Sequence, residues 1–195
     1  MKNNFTQTFW DAKYQSSHLG WDLGEISPPL KAYIDQLEDK NADILVPGAG
    51  NGYEVAYLHQ QGFKNVTVVE ISKQPLLNLQ QRIPDFPKEH LVLLDFFEHD
   101  GCYDLIFEQT FFCALTPLLR ESYVMQMHSL LKPSGKIVGL FFDFPLEVDG
   151  PPFGGSLQEY QQLFSRKFNI RTLERAYNSI KERSNIELFS IFEKK

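Results

Sequence analysis

The chain has 195 residues, 43% of them hydrophobic and 17 of them Phe, enough to bury one full core and too few for two ordinary domains. A net charge of −6, with no stretch rich in Lys and Arg, excludes a nucleic-acid footprint and slightly favours a small cationic ligand. No apolar run is long enough to span a membrane, no signal-peptide core opens the sequence, and Cys102 and Cys113 form neither a metal spacing nor a disulfide framework; a soluble, cytoplasmic, monomeric protein is expected.

In chain order, residues 5–25 mix aromatics with charges and show no clean period. Ser27-Pro28-Pro29 predicts a helix start, with Leu30, Tyr33, Ile34 and Leu37 on one face. Residues 43–47 predict a short buried strand, followed by a glycine loop and a helix through Val55, Ala56 and Leu58 that ends at Gly62. A second strand is expected at 66–70, then a helix capped by Ser72 and carrying Leu76, Leu77 and Leu79. Third and fourth strands fall at 91–94 and 103–107. Thr116-Pro117 opens a long helix to Leu131, stopped by Lys132-Pro133-Ser134-Gly135, and a fifth strand covers 136–142. Ser156 and Glu159 suggest a capping box for a late helix, and strands near 169–173 and 186–191 would pair antiparallel.

Strands alternating with helices predict an α/β fold: a seven-stranded, mostly parallel sheet with a final antiparallel strand and helices on both faces. Ligands of such sheets lie beyond the carboxyl ends of the strands. Gly48, Glu70, Asp95 and Glu108 follow the first four strands in turn, putting four potential ligand groups on one edge.

Gly48-Ala49-Gly50-Asn51-Gly52 allows a sharp turn and a close backbone approach to a ligand. Tyr53 occupies the place where a dinucleotide loop carries its third glycine. The form G-x-G-x-G suits a nucleoside with a carboxylate and no pyrophosphate. Glu70, 20 residues beyond Gly50, can accept from both ribose hydroxyls. Asp95 can reach an adenine amino group or cap a helix. Cys113, in an apolar run, reads as a buried structural thiol, and His18 as a loop histidine.

The stretch Ile44-Leu45-Val46-Pro47-Gly48-Ala49-Gly50-Asn51-Gly52-Tyr53-Glu54-Val55 resembles the first cofactor motif of thiopurine S-methyltransferase-like enzymes. It is most similar to their halide/thiol methyltransferase branch. Trp10, Tyr14, Trp21-Asp22-Leu23-Gly24, Val69-Glu70-Ile71-Ser72, Asp104-Leu105-Ile106-Phe107-Glu108, Phe111-Phe112-Cys113-Ala114, Leu130-Leu131-Lys132-Pro133-Ser134-Gly135 and Gly150-Pro151-Pro152-Phe153 extend the match from about 9 to 168. The resemblance implies a class I, Rossmann-like S-adenosylmethionine-dependent methyltransferase as one domain over 1–195, with residues 1–26 a lid segment and 27–195 the core. Its product would be S-adenosylhomocysteine. By the same resemblance Trp10, Tyr14 and Trp21 close over the cofactor. Gly48 meets its methionine part, Glu70 its ribose, Asp95 and Phe96 its adenine, Gln109 lies near the methionine end, and Gly50 also binds the cofactor. Phe112, Pro151, Pro152 and Phe153 would line the acceptor pocket, and Arg120 could favour an anionic nucleophile or lie on the surface. Tyr14 stands where the family usually has tryptophan, and Gln109 and Phe153 replace tyrosines of the plant halide enzymes.

A sulfonium is an activated methyl donor, so transfer to a small soft nucleophile, above all a thiol, demands orientation and water exclusion; no metal and no dedicated base are expected. Aromatic faces attract such a cation by ~0.5–2 kcal/mol. Two alternatives stand beside this reading: an NAD-type oxidoreductase, and a regulator that binds the cofactor without catalysis.

Overall fold

The computed structural model describes residues 5–16, 19–146 and 150–195. Its centre is a parallel set of strands: β1 (Asp43–Pro47), β2 (Asn65–Glu70), β3 (Leu91–Leu93), β4 (Tyr103–Gln109) and β5 (Leu131–Phe142). β6 (Phe168–Arg175) and β7 (Glu187–Lys194) complete a seven-stranded sheet in the order β3-β2-β1-β4-β5-β7-β6. β7 lies antiparallel to both neighbours, β5 and β6. The expected sheet is therefore present, with the antiparallel strand placed inside it and not at its edge.

Period-2 alternation sends neighbouring side chains to opposite faces. Ile44, Val46, Leu105, Phe107, Val138 and Leu140 meet the helices α2 (Pro28–Ile34), α3 (Tyr53–Gln60) and α4 (Lys73–Arg82) through Leu30, Ile34, Val55, Leu58, Leu76 and Leu79. Leu45, Ile106, Ile137 and Phe141 face the other way, onto α5 (Arg120–Leu130) and α6 (Leu157–Phe164). That second layer is aromatic: Phe164 stacks on Phe192 at 4.2 Å between centroids, and Phe112, Tyr123, Phe141 and Tyr160 surround them. Burying each such side chain contributes ~1.5–3 kcal/mol, so two faces of this size hold the sheet without staples.

Several local expectations change. The aperiodic N-terminal segment contains a helix, α1 (Gln7–Gln15), none of whose residues is buried. Its Trp10 and Tyr14 turn toward a cavity and not toward the sheet, which is why no core stripe is visible in the sequence. The helix expected from Thr116-Pro117 starts as a 3₁₀ turn, Pro117–Leu119, and becomes α-helical at Arg120. It stops at Leu130, one residue short of the expected Leu131, because Leu131 and the expected stop signal, residues 132–135, already belong to β5. Ser27 and Ser72 stand at helix N-caps without making the capping bond; the Ser72 hydroxyl donates instead to Asp11 at 2.5 Å, tying α4 to α1. Ser156 does cap α6, accepting from the Glu159 amide at 3.2 Å, but the Glu159 carboxylate is taken by Arg120.

The sheet order reverses between β1 and β4, since β2 and β3 continue to one side of β1 and β5 to the other. A crevice opens at such a switch point, beyond the carboxyl ends of the strands. Gly48 and Gln109 flank it.

Candidate active site

The crevice leads into a cavity of about 540 Å³, within the range of small-molecule sites. Its floor is the glycine loop. Gly48 and Gly50 sit at φ 57° and 55°, backbone positions where other residues are strained. A Cβ on Gly48 would come within 2.3 Å of the Phe111 ring, whereas one on Gly50 would meet nothing nearer than the Tyr14 hydroxyl at 3.5 Å. The loop is open to a ligand above Gly50 and packed solid behind Gly48.

Glu70, at the end of β2, turns into the cavity and is 6% exposed. It accepts from the Gly50 amide at 2.8 Å, so strand end and glycine loop are locked together. Burial pushes its carboxyl up to about 7, against the pull of the Gly50, Ile71 and Ser72 amides. Asp95 makes the cap that was its alternative role, accepting from the Phe97 amide at 3.0 Å, and still lines the cavity beside Phe96. Gln109 Oε1 is buried with no hydrogen-bond partner among the described residues. A buried, unpaired acceptor costs ~1–3 kcal/mol, so a ligand donor would complete this wall.

The roof comes from the N-terminal segment. Trp10 and Tyr14, on α1, both meet Trp21 edge to face, at 5.6 and 5.8 Å between centroids. Burial, with Glu70 nearby, pushes the Tyr14 phenol far up, so it stays a neutral donor. The Trp21 carbonyl accepts from Arg183 at 2.7 Å, and the Asp22 carboxylate accepts from the side-chain Nδ2 of Asn51 in the glycine loop. His18 lies outside the described residues.

All nine residues expected to bind the cofactor line this one cavity: Trp10, Tyr14, Trp21, Gly48, Gly50, Glu70, Asp95, Phe96 and Gln109. The acceptor set divides. Pro151 and Pro152 line the cavity; Phe112 and Phe153 are buried behind it and do not. Arg120 is neither a surface residue nor part of the wall. It is 4% exposed, stacks 4.9 Å over Phe112, and donates to the Glu159 carboxylate and, at 2.6 Å, to the Gly154 carbonyl. Glu108 is no ligand group either: it is 0% exposed and its oxygens accept from its own chain. Strand alternation explains this, because Gln109 takes the cavity side. Cys113 is buried as expected, its thiol pushed up by burial and by Glu108 and donating to the Thr110 carbonyl at 3.4 Å.

Two groups were missed. Arg183, on the 3₁₀ turn before β7, lines the wall and pairs with Glu187 at 3.2 Å. Glu54, on the first turn of α3, accepts from the Ser27 amide at 3.1 Å, and burial raises its carboxyl. Neither lies in a glycine loop or directly after a strand. The i, i+4 spacing of Arg183 and Glu187 was the one available signal.

The sequence model described as Thiopurine S-methyltransferase (TPMT) matches residues 5–194. The chain belongs to the thiopurine S-methyltransferase family. Among relatives of this thiopurine S-methyltransferase family member is a "Probable thiol methyltransferase 2" of Arabidopsis thaliana, 31% identical over 159 residues, 79% of this chain and 70% of the relative. A "Thiopurine S-methyltransferase" of Vibrio parahaemolyticus is 29% identical over 178 residues, 82% of each chain. The fold is that of a 1,6-didemethyltoxoflavin-N1-methyltransferase from Burkholderia thailandensis, solved with S-adenosylhomocysteine, at TM-score 0.72 and 22% identity over 95% of this chain and 87% of that one. The family member is thus an S-adenosylmethionine-dependent methyltransferase of the class I fold, which sets aside the oxidoreductase and the non-catalytic regulator. Among the described residues, no helix is long and apolar enough to cross a membrane.

Proposed function

We propose that this methyltransferase acts on a small, uncharged thiol, and that the residues lining the cavity hold the cofactor in the roles the resemblance implies. The observation that carries the reading is the charge of the wall. Six carboxyl residues line the cavity (Asp22, Glu25, Glu54, Glu70, Asp95 and Glu182), against Lys13 and Arg183, and Arg183 is already paired with Glu187. An acidic, partly desolvated wall attracts a sulfonium and an ammonium and repels free anions. A halide must enter charged. A thiol enters neutral and needs only a modest pKa change, from ~8.5, to become the nucleophile.

When bound, S-adenosylmethionine supplies a methyl group already activated on sulfur. Glu70 would hold the ribose, Asp95 and Phe96 the adenine, and Gly48 and Gln109 the methionine end, with Gly50 also binding the cofactor. Trp10, Tyr14 and Trp21 present aromatic faces and edges and keep water out. Phe142, Phe144, Pro151, Pro152 and Ile186 give the acceptor side an apolar surface that suits a weakly hydrated sulfur. Exposed Cys102 and buried Cys113, both free, suit a reducing cytoplasm. The acidic surface fits a small-molecule partner and not a nucleic acid. The test is transfer of labelled methyl to a panel of alkyl, aryl and heterocyclic thiols beside iodide and thiocyanate. Neutral thiols should be turned over at the higher kcat/KM; faster turnover of the anions would sink this reading.

A further inference from the structure

We propose that Glu108, which is fully buried and does not line the cavity, is the positioning residue that fixes the cavity wall following β4. Its Oε1 accepts from the amides of Phe111 and Phe112 at 2.8 and 2.9 Å. Its Oε2 accepts from the Tyr123 hydroxyl of α5 at 2.6 Å. One side chain thus holds two consecutive amides of the turn to the body of the protein.

That turn bends sharply. Thr110 sits at φ 57°, a left-handed position unfavourable for a β-branched residue, so something must over-determine it. The Glu108 carboxylate does so from below. The β5 strand makes room for it: Gly139 pairs with Glu108 in register, and a Cβ there would lie 2.4 Å from the Glu108 Cβ. A side chain at position 139 would displace the carboxylate from the turn.

What the turn carries connects Glu108 to function. Gln109, Thr110, Phe111, Cys113, Ala114 and Leu115 all line the cavity. The Phe111 ring fills the space behind Gly48 and meets Phe96 edge to face at 5.1 Å, touching two cofactor positions at once. The Cys113 carbonyl accepts from the Phe153 amide at 2.7 Å, so the same turn anchors the segment carrying Pro151 and Pro152. Removing the Glu108 oxygens would leave two turn amides without acceptors and loosen both sides of the wall. The titratable groups facing the carboxylate are Tyr123 and Cys113, both kept neutral by burial and by Glu108 itself, so no cation competes for its oxygens. A carboxamide can reproduce the pattern: its oxygen accepts from both amides, and its NH₂ donates to the Tyr123 oxygen.

The experiment uses Glu108→Ala, Glu108→Gln and Tyr123→Phe in the full chain, with Val124→Ala as a control cavity on α5. Three quantities are measured well below each Tm: S-adenosylhomocysteine affinity, amide hydrogen exchange of residues 111–112 with that ligand bound, and thiol turnover. Glu108→Ala should speed exchange, weaken S-adenosylhomocysteine about tenfold, and lower kcat by roughly tenfold to a hundredfold through misplacement. Tyr123→Phe should show the same changes to a smaller degree, and Glu108→Gln should restore most of each. Val124→Ala should lower Tm while leaving exchange and affinity unchanged. Unchanged exchange in folded Glu108→Ala, a Gln variant as impaired as Ala, or equal effects of Val124→Ala would each overturn the proposal. Turnover rests on the thiol reading above, but affinity and exchange do not; a wild-type enzyme inert to thiols would overturn that reading while these two arms still decide the role of Glu108.

Discussion

At the scale of single residues, Glu70 makes the most demanding prediction. It is a carboxyl held at the edge of ionisation by burial, and its proposed role is to accept from the ribose hydroxyls. Glu70→Ala should weaken S-adenosylhomocysteine binding by ~1–3 kcal/mol in calorimetry, with the circular-dichroism spectrum unchanged. Because the carboxyl titrates near 7, wild-type affinity should fall as pH drops from 8 to 6, and Glu70→Gln should flatten that dependence. A flat wild-type profile would show that the carboxylate takes no part in binding. The two loop glycines make a paired prediction. Gly48→Ala meets both left-handed strain and the Phe111 ring, and should cost ~2–5 kcal/mol in denaturant unfolding; Gly50→Ala meets the strain alone and should cost ~1–2 kcal/mol. Equal losses would mean that the Phe111 ring yields freely.

At the scale of elements, the N-terminal segment is predicted to be a lid. Among the described residues its joints with the core include three polar ones, Asp11 to Ser72, Asp22 to Asn51 and the Trp21 carbonyl to Arg183, beside the edge-to-face contact of Phe5 with Phe153 at 5.7 Å. Contacts of this kind open at lower free energy than a packed core. Chymotryptic cleavage after Trp10, Tyr14 and Trp21 should slow markedly with S-adenosylhomocysteine, and deletion of residues up to 24 should abolish transfer while the sheet stays folded; equal cleavage in both states would return these aromatics to ordinary packing. The sequence reveals the sheet better than the lid for a physical reason. Parallel strands buried on both faces, such as Ile44-Leu45-Val46 and Val66 to Val69, write their burial as continuous apolar runs. A helix that covers a cavity has no apolar stripe to display. The cavity position of Gly48, Gly50, Glu70, Asp95 and Gln109 was legible because strand ends and the glycine loop fix where those residues stand. The acceptor side was not, because whether Phe112, Arg120 and Phe153 face a cavity or the core depends on the packing of α5 and α6, which no local pattern encodes.

At the scale of the whole molecule, three buried carboxyls raised by burial, Glu54, Glu70 and Glu108, set the response to pH. Glu70 and Glu108 each titrate near 7 when folded against 4.5 as free groups. The folded state therefore binds more protons between those values, and stability from this source, full below about 4.5, is lost as pH rises through 7. Asp35, Asp104 and Glu193 are shifted the other way, but at exposed pairs that solvent screens. Tm of the ligand-free protein should thus fall by several degrees between pH 5.5 and 8, and by less in Glu70→Gln; a rising Tm would show that these carboxyls stay ionised. The sheet order carries a consequence of another kind. β6 reaches the rest of the sheet only through β7, the last of the seven strands to be made. While the polypeptide is being synthesised, β6 has no partner and β5 keeps an open flank until Glu187–Lys194 has left the ribosome. Arg183, which holds the Trp21 carbonyl across 162 positions of chain, is made in the same late stretch. The nascent protein can build the crevice beyond its first strands early, yet it cannot close the roof until translation has passed residue 183, so a chain stalled before that point would expose both an unpaired edge and an aromatic segment to whatever chaperone or protease is at hand.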